Sequence, residues 1–349
     1  MIRCLASIIF LLSSLASGMI AAAPPAADQL FKNSSILELY LSGPFSLIDK
    51  ERDKEKRYDG TISYKAADQS TVILDVAYEV RGNWRLQRSN CGHAQLWLDL
   101  KRGQTKGTLF ENQNRLKLVV QCGGRERNEQ WLIKEQLAYD IFGQFSDLNF
   151  DTRLVQATYS DSDETDEPRT HFAFIIEHQN RVAKRFGLEK FELNQASTKS
   201  LNSKQANMVA LFMLLIGNTD FSLAAGAPED DCCHNSKLLT DSDGTNFPLP
   251  YDFDSSGYVN TSYASPPSQN MKIRSNKQRL YRGYCSHADS LDEAVTAAVG
   301  TQNSVENLIS SSEYASERTK KRAIKFFEEY YEILADERKV QRNIVGKCR

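Results

Sequence analysis

The chain has 349 residues, of which 41% are hydrophobic and 10% aromatic, enough for one large or two medium hydrophobic cores. Its net charge of -2 carries no general attraction for polyanions, which argues against nucleic acid as a partner. After residue 23 no segment is apolar over about 18 residues, so we expect no membrane span in the mature chain.

The first residues have the layout of a secretory signal peptide. Arg3 precedes an apolar stretch from Leu5 to Ala23 that ends in small residues. We predict that residues 1–23 are removed and that the protein is secreted or periplasmic. Six cysteines then remain, an even number that favours disulfide bonds in an exported chain. The sequence leaves their pairing open, with Cys91–Cys122 as our preferred pair among Cys91, Cys122, Cys232, Cys233, Cys285 and Cys348.

Strand-like alternation dominates residues 34–160 and continues beyond them. Apolar residues at helical spacing in Glu129–Phe145 predict one helix within this region. The clearest predicted strands are Thr71–Arg81, Gln95–Leu100, Arg115–Val120, Arg153–Tyr159 and His171–Glu177.

Helical periodicity dominates from Ser203 onward. The predicted helices are Ser203–Ile216, Ser290–Ser310 and Glu313–Asn343. We therefore predict a sheet-rich region at residues 30–180 with one helix, followed by a helical region at residues 181–349.

Polar side chains suited to phosphate chemistry concentrate between Gly217 and Gly257. Asp220 follows an apolar helical segment, His234-Asn235 follows an insert, and Asp252-Phe253-Asp254 follows a strand-like segment. Two ionised carboxylates about 4 Å apart repel by roughly 4 kcal/mol at an effective dielectric of about 20, so a fold that gathers these acids favours a bound cation. Oxygen ligands of this kind select Mg2+ or Mn2+. The alternative is that Asp220 caps a turn and that the later acids are solvated loop residues.

Six sequence motifs, taken in chain order, resemble those of the spore-coat protein H (CotH) kinase family, and more closely those of an exported bacterial family related to it. The resemblance spans residues 80–257 and implies an α+β, bilobal, protein-kinase-like fold with a sheet-rich N-terminal lobe and a helical C-terminal lobe. The motifs are Val80-Arg81-Gly82-Asn83, Leu109-Phe110 to Val120, the helix around Leu132 to Phe142, Phe172 to Phe186, Gly217 to Asp220, and Pro250 to Gly257.

The resemblance implies roles for the later polar residues. Asp220 matches the aspartate that orients the acceptor hydroxyl, and Asp252 matches a metal-binding aspartate, with Asp254 in the place of a glycine and sharing the metal. Asn235 matches the metal-binding asparagine, but it lies 15 residues after Asp220 where the protein-kinase signature has four or five. His234 is a loop residue without a direct role, a base or a metal ligand, and the first of these is the preferred interpretation.

In the first region the resemblance implies a nucleotide site. Arg81-Gly82-Asn83 resembles a phosphate-facing turn, although an ordinary strand-ending turn is the alternative. Lys117 on a strand and Glu135 on the next helix suggest the lysine–glutamate pair that positions phosphates, unless Lys117 is solvated or Glu135 pairs with Arg115 or Lys134. Glu177 falls where the backbone meets an adenine base.

The expected function is an exported phosphotransferase that uses ATP or another nucleoside triphosphate with Mg2+ or Mn2+. Its expected acceptor is a hydroxyl group, first of all a serine or threonine of a secreted protein. One alternative is a catalytically inactive pseudokinase that acts as an exported binding or structural protein, and another is a metal-dependent hydrolase, for which no histidine-rich ligand set is present. A basic cluster at Arg274, Arg279 and Arg282 either binds an acidic substrate or is solvated or paired within the protein.

Overall fold

The computed structural model describes residues 28–162, 167–226 and 232–349. The predicted signal peptide and part of the insert before His234 lie outside the described residues.

Seven strands form a closed barrel in the order β1-β2-β3-β4-β5-β7-β6. All neighbouring strands are antiparallel except β1 and β6, which run parallel. The barrel strands are β1 (Leu37–Gly43), β2 (Arg57–Lys65), β3 (Thr71–Arg81), β4 (Gln95–Leu100), β5 (Arg115–Val120), β6 (Thr152–Asp161) and β7 (Arg169–Ile176). Alternate side chains point inward and fill the barrel with apolar groups such as Leu39, Ile62 and Leu98.

The bilobal kinase fold predicted from the sequence is wrong, because the strands close into this barrel. Closure depends on β1, which pairs with β2 on one side and with β6 on the other. The pairing of Leu37 with Val155 joins distant parts of the chain, and alternation within a strand does not encode which strands become neighbours. The predicted division at residues 30–180 and 181–349 stays a prediction.

A small second sheet lies in the region where helices were expected. It has the order β10-β9-β8 and consists of β8 (Glu189–Lys190), β9 (Ser236–Thr240) and β10 (Asn246–Pro250). Proline residues within β10 did not prevent its pairing with β9, where Pro248 lies opposite Leu238.

The helices pack mainly outside the barrel. They are α1 (Phe45–Glu51), α2 (Arg102–Thr105), α3 (Glu126–Phe142), α4 (Gln179–Phe186), α5 (Ser203–Ile216), α6 (Leu291–Gly300), α7 (Gln302–Ser311), α8 (Glu317–Leu334) and α9 (Glu337–Asn343). The apolar α5 is buried on nearly all sides and contacts α3, α6, α8 and β10. Helix α3 contacts β6 and β7 of the barrel as well as α5 and α7, so it joins the barrel core to the helical core.

Three cysteine pairs lie at disulfide distance, Cys91–Cys122, Cys232–Cys233 and Cys285–Cys348. The preferred Cys91–Cys122 pairing is confirmed. Disulfides of this number are typical of proteins in an oxidising, extracellular compartment. None of the helices in the described part of the chain has the length and apolar composition of a membrane span.

Candidate functional site

A cleft of about 1330 Å³ brings the predicted site residues together. It lies where the ends of β3 and β5 face the loops that follow α5 and β10. Of the predicted site residues, all except Glu135 line it: Arg81, Gly82, Asn83, Lys117, Glu177, Asp220, Asn235, Asp252 and Asp254.

Backbone hydrogen bonds join the two ends of the polar stretch between Gly217 and Gly257. The N–H of Gly257 donates to the carbonyl oxygen of Gly217 at 3.0 Å, and the N–H of Tyr258 donates to that of Ile216 at 3.0 Å. Gly217 ends α5 in the left-handed conformation with φ 63°, which favours glycine. A side chain at Gly257 would collide with the carbonyl oxygen of Asn276. These contacts bring Asp220 and Asp252 to the same side of the cleft.

The Asp220 carboxylate is held by two polar neighbours. Its Oδ1 lies 2.8 Å from Nε2 of His234, and its Oδ2 accepts from Nδ2 of Asn235 at 3.2 Å. The same Asn235 amide donates to the backbone oxygen of Asp220 at 2.7 Å. The hydrogen bond to the Asp220 carboxylate raises the pKa of His234. The insert therefore does not keep Asn235 away from Asp220, and His234 is a direct contact of the carboxylate.

Arg85 is the site residue that sequence reasoning missed. It lies on a short 3-10 turn after Gly82-Asn83, and its guanidinium is 8% exposed. It donates to both oxygens of Glu135 at 2.9 and 3.1 Å and to Oδ1 of Asp252 at 2.9 Å, and its Nε lies 3.1 Å from Oδ2 of Asp254. The only signal for it in the sequence was the presence of basic residues after the glycine turn.

The guanidinium of Arg85 faces three carboxyl groups, and burial and the neighbouring charges shift the pKa of each. Burial raises the pKa of Asp254 to about 8, with Asp252 and Glu135 adding to the rise and Arg85 opposing it. Burial also raises the pKa of Glu135 against the attraction of Arg85. Burial alone would also raise the pKa of Asp252. The positive charges of Arg85, Arg81 and Lys117 outweigh burial, so the pKa of Asp252 is lowered. The nearby positive charges therefore favour the ionised form of Asp252, whereas burial disfavours the ionised forms of Asp254 and Glu135.

Backbone geometry fixes Asp252 in place. The residue has φ 62°, in the left-handed region that only short polar side chains and glycine adopt readily. Its N–H donates to the hydroxyl of Tyr139 at 2.9 Å. Such a conformation persists only where surrounding contacts over-determine it, and it is common in functional sites.

Arg81 and Lys117, which line the cleft, have no carboxylate partner among the described residues. Lys117 Nζ lies 4.2 Å from the ring centroid of Tyr251 and 5.6 Å from that of Trp97. Burial, with the nearby charges of Arg81 and Lys237, lowers the pKa of Lys117 to about 7. The buried Nε of Arg81 has no hydrogen-bond partner. The expected Lys117–Glu135 pair is thus not formed within the described structure, since Arg85 occupies Glu135.

Glu177 lines the cleft, but its polar groups are used within the protein. Its carboxylate accepts from Arg185 at 2.7 Å, and its N–H donates to the carbonyl oxygen of Asp151 at 2.9 Å. Burial raises the pKa of Glu177 to about 7. Phe150, Ala183 and Leu188 add apolar surface to the cleft near the start of α4.

The arrangement suits a metal ion carried in with a ligand. Among the described residues no three histidine, cysteine, aspartate or glutamate side chains are grouped as metal ligands. Asp252 has a side chain 36% exposed with one oxygen bonded to Arg85, whereas Asp254 is buried against Arg85. Mg2+ commonly binds one or two protein carboxylates and completes its shell with water and substrate phosphates. Asp252 fits that mode.

Two arginines of the basic cluster predicted around residues 274–282 make internal contacts. Arg279 donates to the carbonyl oxygen of Phe326 and pairs with Glu329 at 2.8 Å. Arg282 donates to the carbonyl oxygen of Thr219, and burial lowers its pKa to about 10. Arg282 thereby anchors the turn that presents Asp220.

Comparison with known proteins assigns no family to this chain. No family model matches it, and no curated protein matches it significantly. The resemblance to the CotH kinases stays a prediction.

Proposed function

We propose that the cleft binds a nucleoside triphosphate with Mg2+ or Mn2+ and transfers its terminal phosphate to a hydroxyl group. ATP is the first candidate nucleotide, and a serine or threonine of a secreted protein is the first candidate acceptor. The observation that carries the proposal is the combination, in one cleft, of two cations without a carboxylate partner in the described part of the chain, Arg81 and Lys117, with two accessible carboxylates, Asp220 and Asp252.

Each residue has a role that follows from its contacts. Arg81 and Lys117 suit the phosphate oxygens, because an anion relieves the cost of holding both cations in a partly buried cleft. Asp220, fixed by His234 and Asn235, suits the orientation of the acceptor hydroxyl and the removal of its proton. Asp252 would hold the metal ion, which when bound neutralises charge on the phosphates.

Arg85 positions Asp252 rather than contacting the substrate. Its bonds to Glu135 and Asp254 anchor the guanidinium, so one oxygen of Asp252 is fixed while the residue keeps an exposed edge. Phosphoryl transfer depends mainly on positioning and electrostatic stabilisation, and such an anchored carboxylate supplies both.

The proposal is tested by incubating the mature protein with γ-labelled ATP and Mg2+ or Mn2+. We expect labelling of the protein itself or of an added protein acceptor. Asp220→Asn should reduce the rate by about 10²- to 10⁴-fold, the usual contribution of a general base. Asp243→Asn, in the exposed turn between β9 and β10, is the matched control and should leave the rate unchanged. A rate that Asp220→Asn and Asp252→Asn leave unchanged would refute the assignment.

A second candidate is a nucleotide-binding protein without turnover. It is favoured by one observation, that Arg85 already pairs with Asp252 and Asp254, the two acids expected to hold a metal. In that case nucleotide should bind equally well with and without divalent metal, and no phosphate should be transferred.

A further inference from the structure

A second cavity, of about 670 Å³, lies apart from the cleft, between the first turns of α3 and α8 and the segment around Tyr258. We call it the basic groove and define it by Arg127, Trp131, Lys134, Lys277, Arg318 and Arg322. The only carboxylate that lines it among the described residues is that of Glu126.

Most cations of the basic groove are not neutralised by the protein. Within the described ranges Arg127, Lys277, Arg318 and Arg322 form no ion pair, and Arg127 only stacks on Trp131 with its guanidinium carbon 5.5 Å from the ring centroid. These four side chains are exposed, so water screens much of their mutual repulsion, and a bound anion would supply the opposite charge that the described part of the protein does not.

Lys134 forms the inner end of the basic groove. It donates to the backbone oxygens of Tyr258 and Val259, and burial together with the charge of Arg322 lowers its pKa to about 8. The long helices α3 and α8 begin beside the same cavity, so the positive ends of their dipoles add to the potential there.

We propose that the basic groove is a binding site for a small anion that carries two or more phosphate groups. Arginine side chains match phosphate oxygens in pairs, and three of the five cations are arginines. The volume lies within the range of pockets for small molecules, about 300 to 1,000 Å³, which favours a compact ligand over a macromolecule.

The basic groove has a direct structural connection to the cleft. Lys134 precedes Glu135, the partner of Arg85, and the carbonyl groups it binds follow Asp254 by four and five residues. The proposal of an anion site does not rest on the proposed phosphotransfer, because none of the residues that define the basic groove lines the cleft.

The test is calorimetric titration with inorganic tripolyphosphate, without divalent metal and at about physiological ionic strength, where long-range attraction is screened. We expect wild-type protein to bind and the Arg318→Gln/Arg322→Gln double variant to bind at least about tenfold more weakly, the effect of about 1.4 kcal/mol of lost charge-assisted bonding. Lys277→Gln, in a separate segment, should also weaken binding.

Two controls separate the basic groove from other cations. Lys321→Gln removes an exposed charge from the same helix outside the groove and should bind as wild type does. The cleft has its own proposed phosphate site, so the groove substitutions are also compared in Lys117→Met protein, which lacks a cation of the cleft. Lys117→Met protein should still bind tripolyphosphate, and adding Arg318→Gln/Arg322→Gln should remove that binding. The proposal is overturned if wild-type protein does not bind, if the groove substitutions leave binding unchanged in both backgrounds, if Lys321→Gln loses as much affinity as they do, or if Lys117→Met alone abolishes all binding.

Discussion

Lys117 is a cation kept in the cleft without a carboxylate to neutralise it. Its contacts with Tyr251 and Trp97 are to ring faces, and burial lowers its pKa to about 7. Because the folded-state pKa lies below the ordinary value of 10.5, the unfolded chain binds more protons between pH 7 and 10.5, and this residue makes the free energy of unfolding rise with pH across that window. Burying the protonated amine of Lys117 thus costs free energy, and a bound phosphate group would reduce that cost.

Nucleotide affinity should therefore depend on pH through Lys117. If phosphate binds the protonated amine, affinity should fall by about tenfold between pH 6 and pH 8, since the protonated fraction drops from about nine-tenths to about one-tenth. Lys117→Arg, which stays charged, should lose this dependence. The phosphate groups of the nucleotide also titrate, but they do so equally with wild-type protein and with Lys117→Arg. Identical pH profiles of nucleotide affinity for the two proteins would therefore contradict the role of Lys117.

Within the described structure Arg85 contacts three carboxyl groups, those of the buried Glu135 and Asp254 and that of the partly exposed Asp252. Arg85→Met should lower the free energy of unfolding by about 3 to 5 kcal/mol, because breaking a buried ion pair leaves uncompensated charge. The loss should shrink as the pH falls from 8 to 5, since the carboxyl groups freed from Arg85 then take up protons. Denaturant unfolding at several pH values measures both effects.

The matched control for Arg85 is Arg57, whose side chain is 57% exposed and pairs with Glu79 and Asp99. Arg57→Met should cost no more than about 1 kcal/mol, as is usual for surface ion pairs. Equal losses for the two variants would contradict the buried role of Arg85.

At the scale of elements, the Cys91–Cys122 bond fastens the turn that carries Arg85 to the end of β5. Arg52, at the end of α1, holds the same turn from another side by donating to the carbonyl oxygens of Leu86, Cys91 and Gly92 at 2.7 to 3.0 Å. The turn between β3 and β4 is thereby held at the cleft from two sides.

Removing this bond should affect both stability and the cleft. Because the two cysteines are separated by 31 positions in the sequence, Cys91→Ser/Cys122→Ser should lower the free energy of unfolding by about 2 to 4 kcal/mol. It should also weaken nucleotide binding, because Arg85 loses its support. Cys285→Ser/Cys348→Ser should lose stability but retain nucleotide affinity, since neither cysteine lines the cleft. Unchanged affinity in the first variant, measured by calorimetry, would contradict this coupling.

Individual elements were largely readable from the sequence. The strands Thr71–Arg81, Gln95–Leu100 and Arg115–Val120 and the helix Ser203–Ile216 have the predicted bounds, because each has clear periodicity between turn residues. The predicted helix Ser290–Ser310 is broken at Thr301, and the predicted Glu313–Asn343 is broken where Asp336 caps α9. At the first break the Thr301 hydroxyl donates to the carbonyl oxygen of Ala298, and at the second the Asp336 side chain accepts from the N–H groups of Arg338 and Lys339. Hydrophobic periodicity does not report such local contacts.

At the scale of the whole molecule, neither the closure of the barrel nor the pairing of charged residues at the cleft could be predicted from the sequence. Barrel closure requires β1 to meet β6, and Glu135 meets Arg85 rather than Lys117 only once β3, α3 and the segment after β10 are assembled. The residues that the family resemblance implied for the site line the cleft, except Glu135, whereas Arg85 was missed and the pairing of these residues depends on long-range packing.

The central claim, that the cleft binds nucleotide phosphates with a metal ion, is tested most directly by calorimetric titration of the mature protein with ATP, with and without Mg2+. We predict binding that Mg2+ strengthens, a gain that Asp252→Asn abolishes, and loss of most affinity in Lys117→Met. Absence of ATP binding to wild-type protein under both conditions, or binding that neither variant alters, would contradict the account.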